Sequence, residues 1–419
     1  MDKKIKILTL SDHPFSPSGV GTQTKYIIEG MLATGKYQFL SLGGAIKHND
    51  YRPQKTEQWG DNWVLVPVDG YGNQDMIRSI MRTEKPDIIW FMTDPRFWGW
   101  LWSIENEIRP NVPMVYYHVW DNYPYPTFNR KFYQSNDYVA TISKVSDDIV
   151  RTVAPDVPTQ YVPHAVDTNI FNRLPEEEII KFKKENLKIE AGDERPIFFW
   201  NNRNARRKQS GSVLWWFAEF LDKVGKDKAR LVMHTDPKDV HGQDLHAIIK
   251  ERGLLNREVL LSEQKVPPQS LAYFYNAADA TINISDAEGF GLATLESLAC
   301  ETPIIVNKTG GLQEQVRDGN KLFGIEIEPS SRAVIGSQEV PFIYEDRISS
   351  EQFIGALEQF VSMPKEHWSL VGKAGRQHVI DNYNFTNFIN QWDEIFTEIH
   401  NKHGSWPNKA YKAWELKVL

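Results

Sequence analysis

Short apolar runs and amphipathic segments alternate along the first half of the chain. Apolar runs of a few residues are typical of buried strands, and apolar residues spaced three and four apart are typical of helices. The strands predicted here are Ile5–Leu10, Gln38–Leu42, Asp61–Val68, Asp87–Phe91, Met114–Tyr117, Tyr138–Thr141 and Gln160–Val162. Helical patterns fall between most of them, as at Gln74–Glu84 and Lys144–Val153. Because strands alternate with helices, we predict a parallel sheet covered on both faces.

The same alternation starts again after a charged, strand-poor stretch at residues 173–194. The predicted strands are Ile197–Trp200, Ala229–His234, Val259–Leu261, Ala280–Ile284 and Ile304–Val306, and helices are predicted at 210–222, 242–252, 268–277, 292–299, 353–361, 365–381 and 386–402. The predicted fold class is therefore α/β, with two Rossmann-like, doubly wound domains. In such sheets a ligand binds at the carboxyl ends of the strands.

The composition agrees with two soluble globular domains and indicates in which cellular compartment the protein is expected. The chain has 419 residues, which is long for one core, and 41% of them are hydrophobic. We expect the single cysteine, Cys300, to be a buried structural thiol in a reducing compartment. No apolar run is long enough to span a bilayer and no secretory segment is evident at the start, so a cytoplasmic location is expected. The net charge of −7 does not favour nucleic acid as a partner, although a local basic groove can override it.

The segment from Glu288 to Glu296 carries the clearest chemistry. Two carboxylates, eight positions apart, enclose Gly289, Phe290, Gly291 and Leu292, where a predicted strand ends and a predicted helix begins. Glycines let the chain turn sharply and approach a ligand, and the amides of a helix N-terminus favour an anion. Glu288 lies before the helix and Glu296 within it. We therefore expect one ligand held at two points, and not a pair of carboxylates acting as acid and base.

This segment and its continuation to Leu312 resemble the retaining glycosyltransferases with a GT-B fold, glycosyltransferase family 4, the glycogen synthase-like or group 1 enzymes. The resemblance implies two Rossmann-like domains facing across a cleft, and a nucleotide-diphosphate sugar as donor, most often a UDP-sugar, with no prosthetic group. It implies that Glu288 contacts the donor sugar and Glu296 the ribose. Glu301 departs from the family, which usually has a small residue there, often Gly, and we expect it to alter a turn only.

The resemblance also divides the chain by role. It implies an N-terminal acceptor domain over residues 1–172, a donor domain over 173–385, and a C-terminal helix over 386–419 that returns to the N-terminal domain.

Other site residues follow from the same resemblance, each with a plainer alternative. Arg203 and Lys208 have the family's spacing for two cations that neutralise the donor diphosphate, although solvated surface charge is the alternative. The loop with Gly19 and Gly21 lies where the family has a glycine-rich loop near the phosphates, or it is a plain strand-to-helix turn. His118 ends a predicted strand where the family has a sugar-contacting histidine, or it is an ordinary core histidine. Lys265 lies in the loop where the nucleobase rests. The predicted catalytic residues are His118, Arg203, Lys208 and Glu288; the predicted donor-binding residues are Gly19, Gly21, Lys265, Gly289, Phe290, Gly291, Leu292 and Glu296.

No metal ligands are predicted. The spacing of His241 and His246 does not place both side chains on one helical face, and His234 lies upstream of them. The chain contains no Asp-x-Asp pair, which counts against metal-dependent transfer.

The acceptor is the open question. Trp98, Trp100, Trp102 and Trp120 form either a buried core or an aromatic platform for the acceptor. Parts of residues 98–125 also look similar to glycosyltransferases of tailed bacteriophages, which would make the location the host cytoplasm and a hydroxymethylated DNA base a possible acceptor. A glycan or small molecule is the other possibility, and no obligate protein partner or integral membrane association is evident. We predict a retaining, metal-independent glycosyltransferase, with a GT-B nucleotide-sugar epimerase and a non-catalytic nucleotide-sugar or glycan-binding protein as the alternatives.

Overall fold

The computed structural model describes residues 3–410, and the predicted C-terminal segment 386–419 lies outside this range in its last nine residues. The chain divides into two units. The first contains the described residues up to Ala165, Gly336–Phe342 and the described residues from Thr386; the second contains Val166–Ile335 and Ile343–Phe385. Among residues 3–410, no helix combines the length and apolar character needed to cross a membrane.

The first unit is built on an eight-stranded sheet. Its strands are β1 (Ile5–Asp12), β2 (Tyr37–Gly44), β3 (Gln54–Lys55), β4 (Trp63–Pro67), β5 (Ile88–Thr93), β6 (Met114–His118), β7 (Tyr138–Thr141) and β8 (Thr159–Tyr161). They lie in the order β3-β4-β2-β1-β5-β6-β7-β8, and every pair is parallel except β3 with β4. The strand order reverses between β1 and β5, and this reversal is the switch point at which open α/β sheets bind ligands.

Helices follow most strands of the first unit, as the alternating pattern predicted. They are α1 (Gly19–Ala33), α2 (Gln74–Thr83), α3 (Gly99–Trp102), α4 (Glu105–Ile108), α5 (Arg130–Gln134) and α6 (Lys144–Val153). Polar side chains set their starting points: Ser143 and Ser146 form a capping box at the start of α6, and Asn73 caps α2. Every residue of β5 is buried, which is expected of a central parallel strand covered on both faces.

The second unit contains a six-stranded parallel sheet. The strands of the whole unit are β9 (Ile197–Asn201), β10 (Arg230–His234), β11 (Val259–Ser262), β12 (Ala280–Asn283), β13 (Ile304–Asn307), β14 (Arg317–Asp318), β15 (Lys321–Leu322), β16 (Gly324–Ile327), β17 (Ser331–Ile335) and β18 (Ile343–Arg347), and six of them form the parallel sheet. The order β11-β10-β9-β12-β13-β16 is that of a Rossmann sheet, with the switch point between β9 and β12. Two antiparallel hairpins, β14–β15 and β17–β18, were not predicted.

The helices of the second unit are α7 (Glu176–Glu185), α8 (Ser210–Val224), α9 (Leu245–Glu251), α10 (Pro268–Ala277), α11 (Leu292–Ala299), α12 (Leu312–Val316), α13 (Ser350–Ser362) and α14 (Lys365–Asn382); α15 (Phe385–His403) follows and lies mostly in the first unit. Strands β9 and β10 pack against α8 and α13, and Trp200, Phe217 and Phe353 are fully buried in that core. Both α10 and α11 have the predicted bounds.

Candidate functional site

The predicted cations and the predicted carboxylate flank the switch point of the second unit. Arg203 and Lys208 follow β9, and Glu288 follows β12, the neighbouring strand. Residues Arg206–Lys208 form one short turn of 3₁₀-helix, and Gln209 then turns into α8 with φ 58°. Parallel strands bring their carboxyl ends to one edge of the sheet, so segments 80 residues apart in sequence meet there.

Lys208 and Glu288 form an ion pair. The Lys208 ammonium donates to Oε2 of Glu288, and the guanidinium of Arg207 lies 3.8 Å from Oε1. Both paired side chains are largely buried, with 12% and 9% of their surfaces exposed. Burial acts to raise the pKa of Glu288, but the charges of Lys208 and Arg207 outweigh it and lower the pKa to about 2. Glu288 is therefore ionised at neutral pH and accepts hydrogen bonds, which suits the binding of hydroxyl groups.

The turn of three basic residues is fixed from several sides. The Arg206 guanidinium forms an ion pair with Glu345 of β18, and the Arg207 guanidinium donates to the carbonyl of Ala287 at 2.6 Å. Two further bonds join the turn to Asp286, from the Asp286 amide to the Arg207 carbonyl and from the Gln209 amide group to the Asp286 carboxylate. Arg203 pairs with Asp239 at 2.6 Å on the other side of the turn, where 61% of its side chain is exposed. No contact joins Arg203 to Glu288 among the bonds of the described residues.

The backbone between the two predicted carboxylates packs closely against its neighbours. Gly291, with φ 92°, is the N-cap of α11, and no side chain caps the first turn of that helix. A Cβ on Gly311 would lie 2.6 Å from the Cα of Phe290, so these two loops require a glycine at their contact. The Gln315 side chain donates to the Phe290 carbonyl at 2.7 Å. The result is an uncapped helix N-terminus, whose amides and dipole favour an anion, next to the Lys208–Glu288 pair.

Glu296 lies in α11 and belongs to a separate polar chain. The Tyr275 hydroxyl donates to its Oε2 at 2.7 Å, and the Asn201 amide donates to the Tyr275 hydroxyl at 2.8 Å. Burial raises the pKa of Glu296 to about 7, against the lowering effect of the Tyr275 hydrogen bond. The pKa of Glu288 is thus lowered and that of Glu296 raised, so the two carboxylates of the motif have opposite electrostatic surroundings. Lys265, in the loop between β11 and α10, is exposed.

Three predicted residues belong to the first unit. Gly19 begins α1, and the N-cap Ser18 accepts from the Gly21 amide at 3.0 Å and donates to the Asp12 carboxylate at 2.6 Å. A Cβ on Gly21 would lie 2.6 Å from the His13 carbonyl, so the loop requires this glycine. His118 ends β6 and is fully buried, with its ring nitrogens 3.2 and 3.1 Å from the hydroxyls of Tyr116 and Tyr133. Burial lowers the pKa of His118 to about 3, which keeps the ring neutral.

Three of the four tryptophans for which we considered either a buried core or an acceptor platform lie in the core. Trp98, Trp102 and Trp120 are at most 5% exposed. Trp102 stacks on Phe132 with ring centroids 4.7 Å apart, and its indole donates to Asn136 at 3.0 Å. The platform interpretation of these three residues is therefore wrong, because buried rings offer no face to an acceptor. Cys300 is also buried, as predicted.

Sequence reasoning gave no site role to Asn283, Asp286, Asn201 or Tyr275. Asn283 is the last residue of β12 and Asp286 lies in the loop between β12 and Glu288, and polar residues at the end of a parallel strand are a usable signal. Asn201 ends the first strand of the second unit in the same way, but its link to Tyr275 spans 74 positions.

Residues 183–377 match the family described as glycosyl transferases group 1. A curated relative, the D-inositol 3-phosphate glycosyltransferase of Acidothermus cellulolyticus, is 38% identical over 107 residues, which are 24% of this chain and 23% of that protein. The chain thus matches about a quarter of the length of that relative.

Solved structures have the same fold as this protein over nearly the whole chain. The sucrose-phosphate synthase of Thermosynechococcus elongatus superposes with a TM-score of 0.74 at 17% identity, covering 95% of this chain and 100% of that one. The Anabaena protein HepE in complex with UDP-glucose gives a TM-score of 0.67 at 14% identity, covering 94% and 100%. The predicted GT-B fold, with two Rossmann-like domains, is confirmed.

Proposed function

We propose that this protein is a glycosyltransferase that moves a sugar from a nucleotide-diphosphate sugar, a UDP-sugar in the first instance, to an acceptor hydroxyl with retention of anomeric configuration. The observation that carries the proposal is the Lys208–Glu288 pair beside the uncapped N-terminus of α11 at a Rossmann switch point. The match of residues 183–377 to group 1 glycosyl transferases supports it.

The donor fits these groups by charge. The ammonium of Lys208, the exposed guanidinium of Arg203 and the amides after Gly291 bind the diphosphate, because each of these groups carries a positive charge or partial charge. Donor binding then exchanges the Lys208–Glu288 bond for one between Lys208 and phosphate. The ionised Glu288 becomes available to the hydroxyls of the donor sugar.

Glu296 and the loop containing Lys265 complete the nucleoside end of the proposed site. The Glu296 carboxyl accepts from the ribose hydroxyls in place of Tyr275, and the loop containing Lys265 lies against the base. Gly289, Phe290 and Leu292 contribute backbone, and Gly19 and Gly21 keep the roles that the family resemblance implies. The same role for His118 requires the ring, which is fully buried, to exchange a bond to Tyr116 or Tyr133 for one to the sugar.

The transfer step breaks the bond between the anomeric carbon and the leaving phosphate oxygen and forms one to the acceptor oxygen on the same face. The acceptor proton passes to the leaving phosphate oxygen, so the products are the glycoside and the nucleoside diphosphate. Lys208 and Arg203 stabilise the negative charge that grows on the leaving group. Glu288 is unsuited to act as the general acid, since its pKa of about 2 leaves it without a proton.

The test is incubation with UDP-, ADP-, GDP- and TDP-sugars, with and without acceptors that include neutral glycans and DNA carrying hydroxymethylated bases. Acceptor-dependent release of the nucleoside diphosphate, lost in Glu288→Gln, supports transfer, and NMR of the product anomer tests retention. A rate unchanged by EDTA supports metal independence. Isomerisation of the donor without acceptor would indicate an epimerase, and binding without turnover would indicate a binding protein; either result overturns the proposal.

A further inference from the structure

Strand β11 forms an open edge of the parallel sheet in the second unit. It lies first in the strand order and pairs on one side with β10, where the amide of Leu231 donates to the Glu258 carbonyl. Because successive residues of a strand direct their amides and carbonyls to opposite sides, those of Val259 and Leu261 point away from β10. Within residues 3–410, no hydrogen bond is found for these two amides and two carbonyls.

A groove of about 960 Å³ runs beside this edge. Every residue from Val259 to Gln264 lines it, and residues of α7 and α10, among them Phe182 and Tyr273, form its other side. The edge is therefore accessible to a further strand, which would lie about 4.8 Å from β11.

The sequence of β11 lacks the features that usually protect an edge strand. Its four residues include Val259, Leu260 and Leu261, with no charged residue and no proline. The opposite edge strand of the same sheet, β16, carries the charged Glu326, and the edge strands of the first unit, β3 and β8, are only two and three residues long. An apolar edge without such protection tends to pair with another chain.

A second copy of β11 fits this edge in the antiparallel orientation, with Leu260 of each copy at a twofold axis. Val259 of one copy would then exchange two hydrogen bonds with Leu261 of the other, so all the unpaired groups of both edges would be satisfied. The same register places Arg257 of one copy opposite Glu263 of the other, since each lies three positions from Leu260. Twofold symmetry makes this contact of opposite charges twice.

Both of these charged side chains are accessible to a second copy. Arg257 is exposed, and its Nη2 donates to the carbonyls of Leu187 and Lys188, which leaves the other N–H groups of the guanidinium for a carboxylate. Glu263 lies 3.6 Å from the ring of His246 and is 52% exposed.

The rest of the groove does not repel a second copy. Its other charged residues are two acids and two lysines, namely Glu178, Glu185, Lys181 and Lys188. These charges balance, as do those of Arg257 and Glu263, so the groove carries no net charge.

We propose that the β11 edge binds the β11 edge of a second copy of this chain, so that the two six-stranded sheets continue into each other across a twofold axis. The inference goes beyond the proposed function and does not depend on it, because it rests on the sheet edge alone. Pairing of so short a strand covers less surface than a permanent dimer needs, so we expect a dimer that dissociates on dilution.

A cysteine at the axis tests the register. In a non-hydrogen-bonded antiparallel pair the Cα atoms of Leu260 and its copy would lie about 4.5 Å apart, which a disulfide can bridge. We expect mild oxidation of the full chain to cross-link Leu260→Cys into a dimer. Leu255→Cys is the matched control, because Leu255 is 68% exposed but lies opposite Lys265 in this register. The native Cys300 is buried and does not compete.

Charge reversal tests the contact between Arg257 and Glu263. Arg257→Glu and Glu263→Arg each place like charges opposite one another at both contacts, and we expect each to raise the dimer dissociation constant about tenfold in sedimentation equilibrium. The combined variant restores opposite charges and should restore the dimer. It also lacks the Arg257 bonds to Leu187 and Lys188, so this rescue separates the contact between copies from local damage. Thermal melting checks that all variants fold.

Four results would overturn the inference: a monomer at every concentration, equal cross-linking of both cysteine variants, a dimer that neither single reversal weakens, or a combined variant that stays as weak as the single ones. Binding of an unrelated extended apolar peptide by a chain that stays monomeric would assign the edge to a different protein partner, and would overturn it as well.

Discussion

Lys208 and Glu288 neutralise each other in a largely buried pair, although both are expected to contact the same donor. Each group therefore has to leave the other before it meets the ligand. Glu288→Gln removes the competitor of the phosphate for Lys208 while keeping the shape of the side chain. We expect UDP to bind this variant at least as tightly as the original protein, because UDP lacks the transferred sugar that Glu288 is proposed to contact.

Sugar transfer by Glu288→Gln should fall by about 100-fold, the scale of losing one preorganised polar contact to a transition state. Titration calorimetry with UDP and a rate assay with the complete donor measure the two effects separately. The matched variant is Glu296→Gln, which keeps the Lys208–Glu288 pair intact. This variant should weaken UDP binding more than it lowers the rate of sugar transfer from the bound donor. A reversal of the two losses would contradict the assignment of sugar to Glu288 and ribose to Glu296.

Glu296 gives a second prediction, on pH. Its pKa is raised from 4.5 to about 7 in the folded protein, so its protonated form is favoured there. The raised pKa of Glu296 stabilises the folded protein by up to about 3 kcal/mol. This contribution to the free energy of unfolding is fully present below pH 4.5 and is lost as the pH rises through 7. Glu288 has a lowered pKa, and its contribution is lost only as pH falls below 4.5, so the two windows do not overlap.

Denaturant unfolding between pH 4.5 and 8 measures this effect. Glu296→Gln cannot ionise and should lose less stability over that range than the original protein. Asp286→Asn is measured as well, because burial raises the pKa of Asp286 to about 6. Ionisation of Asp286 therefore also lowers the free energy of unfolding between pH 4.5 and 8. An unchanged slope in Glu296→Gln, together with a flat profile in Asp286→Asn, would assign the whole effect to Asp286.

The contact between Lys208 and Glu288 could be predicted from the sequence because a parallel sheet brings together the loops that follow neighbouring strands. Once strands are assigned before Asn202 and before Ser285, the switch point brings the following loops together, and Lys208 meets Glu288 without further information. Side-chain partners outside this rule were not accessible. Glu345 reaches Arg206 from a hairpin 139 positions away, and no local pattern at Ser331–Ile335 separates a hairpin from a loop.

The sequence alone did not decide between the two interpretations of the tryptophans, the buried core and the acceptor platform. Residues 98, 100 and 102 alternate like a half-exposed strand, but they lie at the start of and within the four-residue helix α3, where both Trp98 and Trp102 point into the core.

The Arg206–Glu345 pair leads to a third prediction. Glu345 is 1% exposed and holds both Arg206 and Arg347, so it fixes the basic turn from the hairpin side. Glu345→Gln should release Arg206 and loosen the turn that carries Lys208, raising the donor KM about tenfold with a smaller change in kcat. Loss of charge-assisted bonds to a buried group should also cost about 1–3 kcal/mol of stability.

A control separates positioning from simple destabilisation. Arg317→Gln breaks the pair with Glu326 at the other hairpin and should lower stability without changing the donor KM. If both variants raise KM in proportion to their loss of stability, Glu345 has no positioning role.

The last prediction concerns Glu301, a position at which the family that this chain resembles usually has a small residue. Helix α11 ends in a Schellman motif: the amide of Thr302 donates to Ser297 and the amide of Glu301 to Leu298, with Glu301 in the left-handed region at φ 63°. A side chain with a Cβ is strained there, and glycine is not. Glu301→Gly should therefore raise the free energy of unfolding by about 1 kcal/mol. Glu301→Ala is the matched control, since it removes the same charge but keeps the Cβ, and it should give no gain. Equal stabilisation by both variants in urea unfolding would show that charge, and not backbone strain, limits stability at this turn.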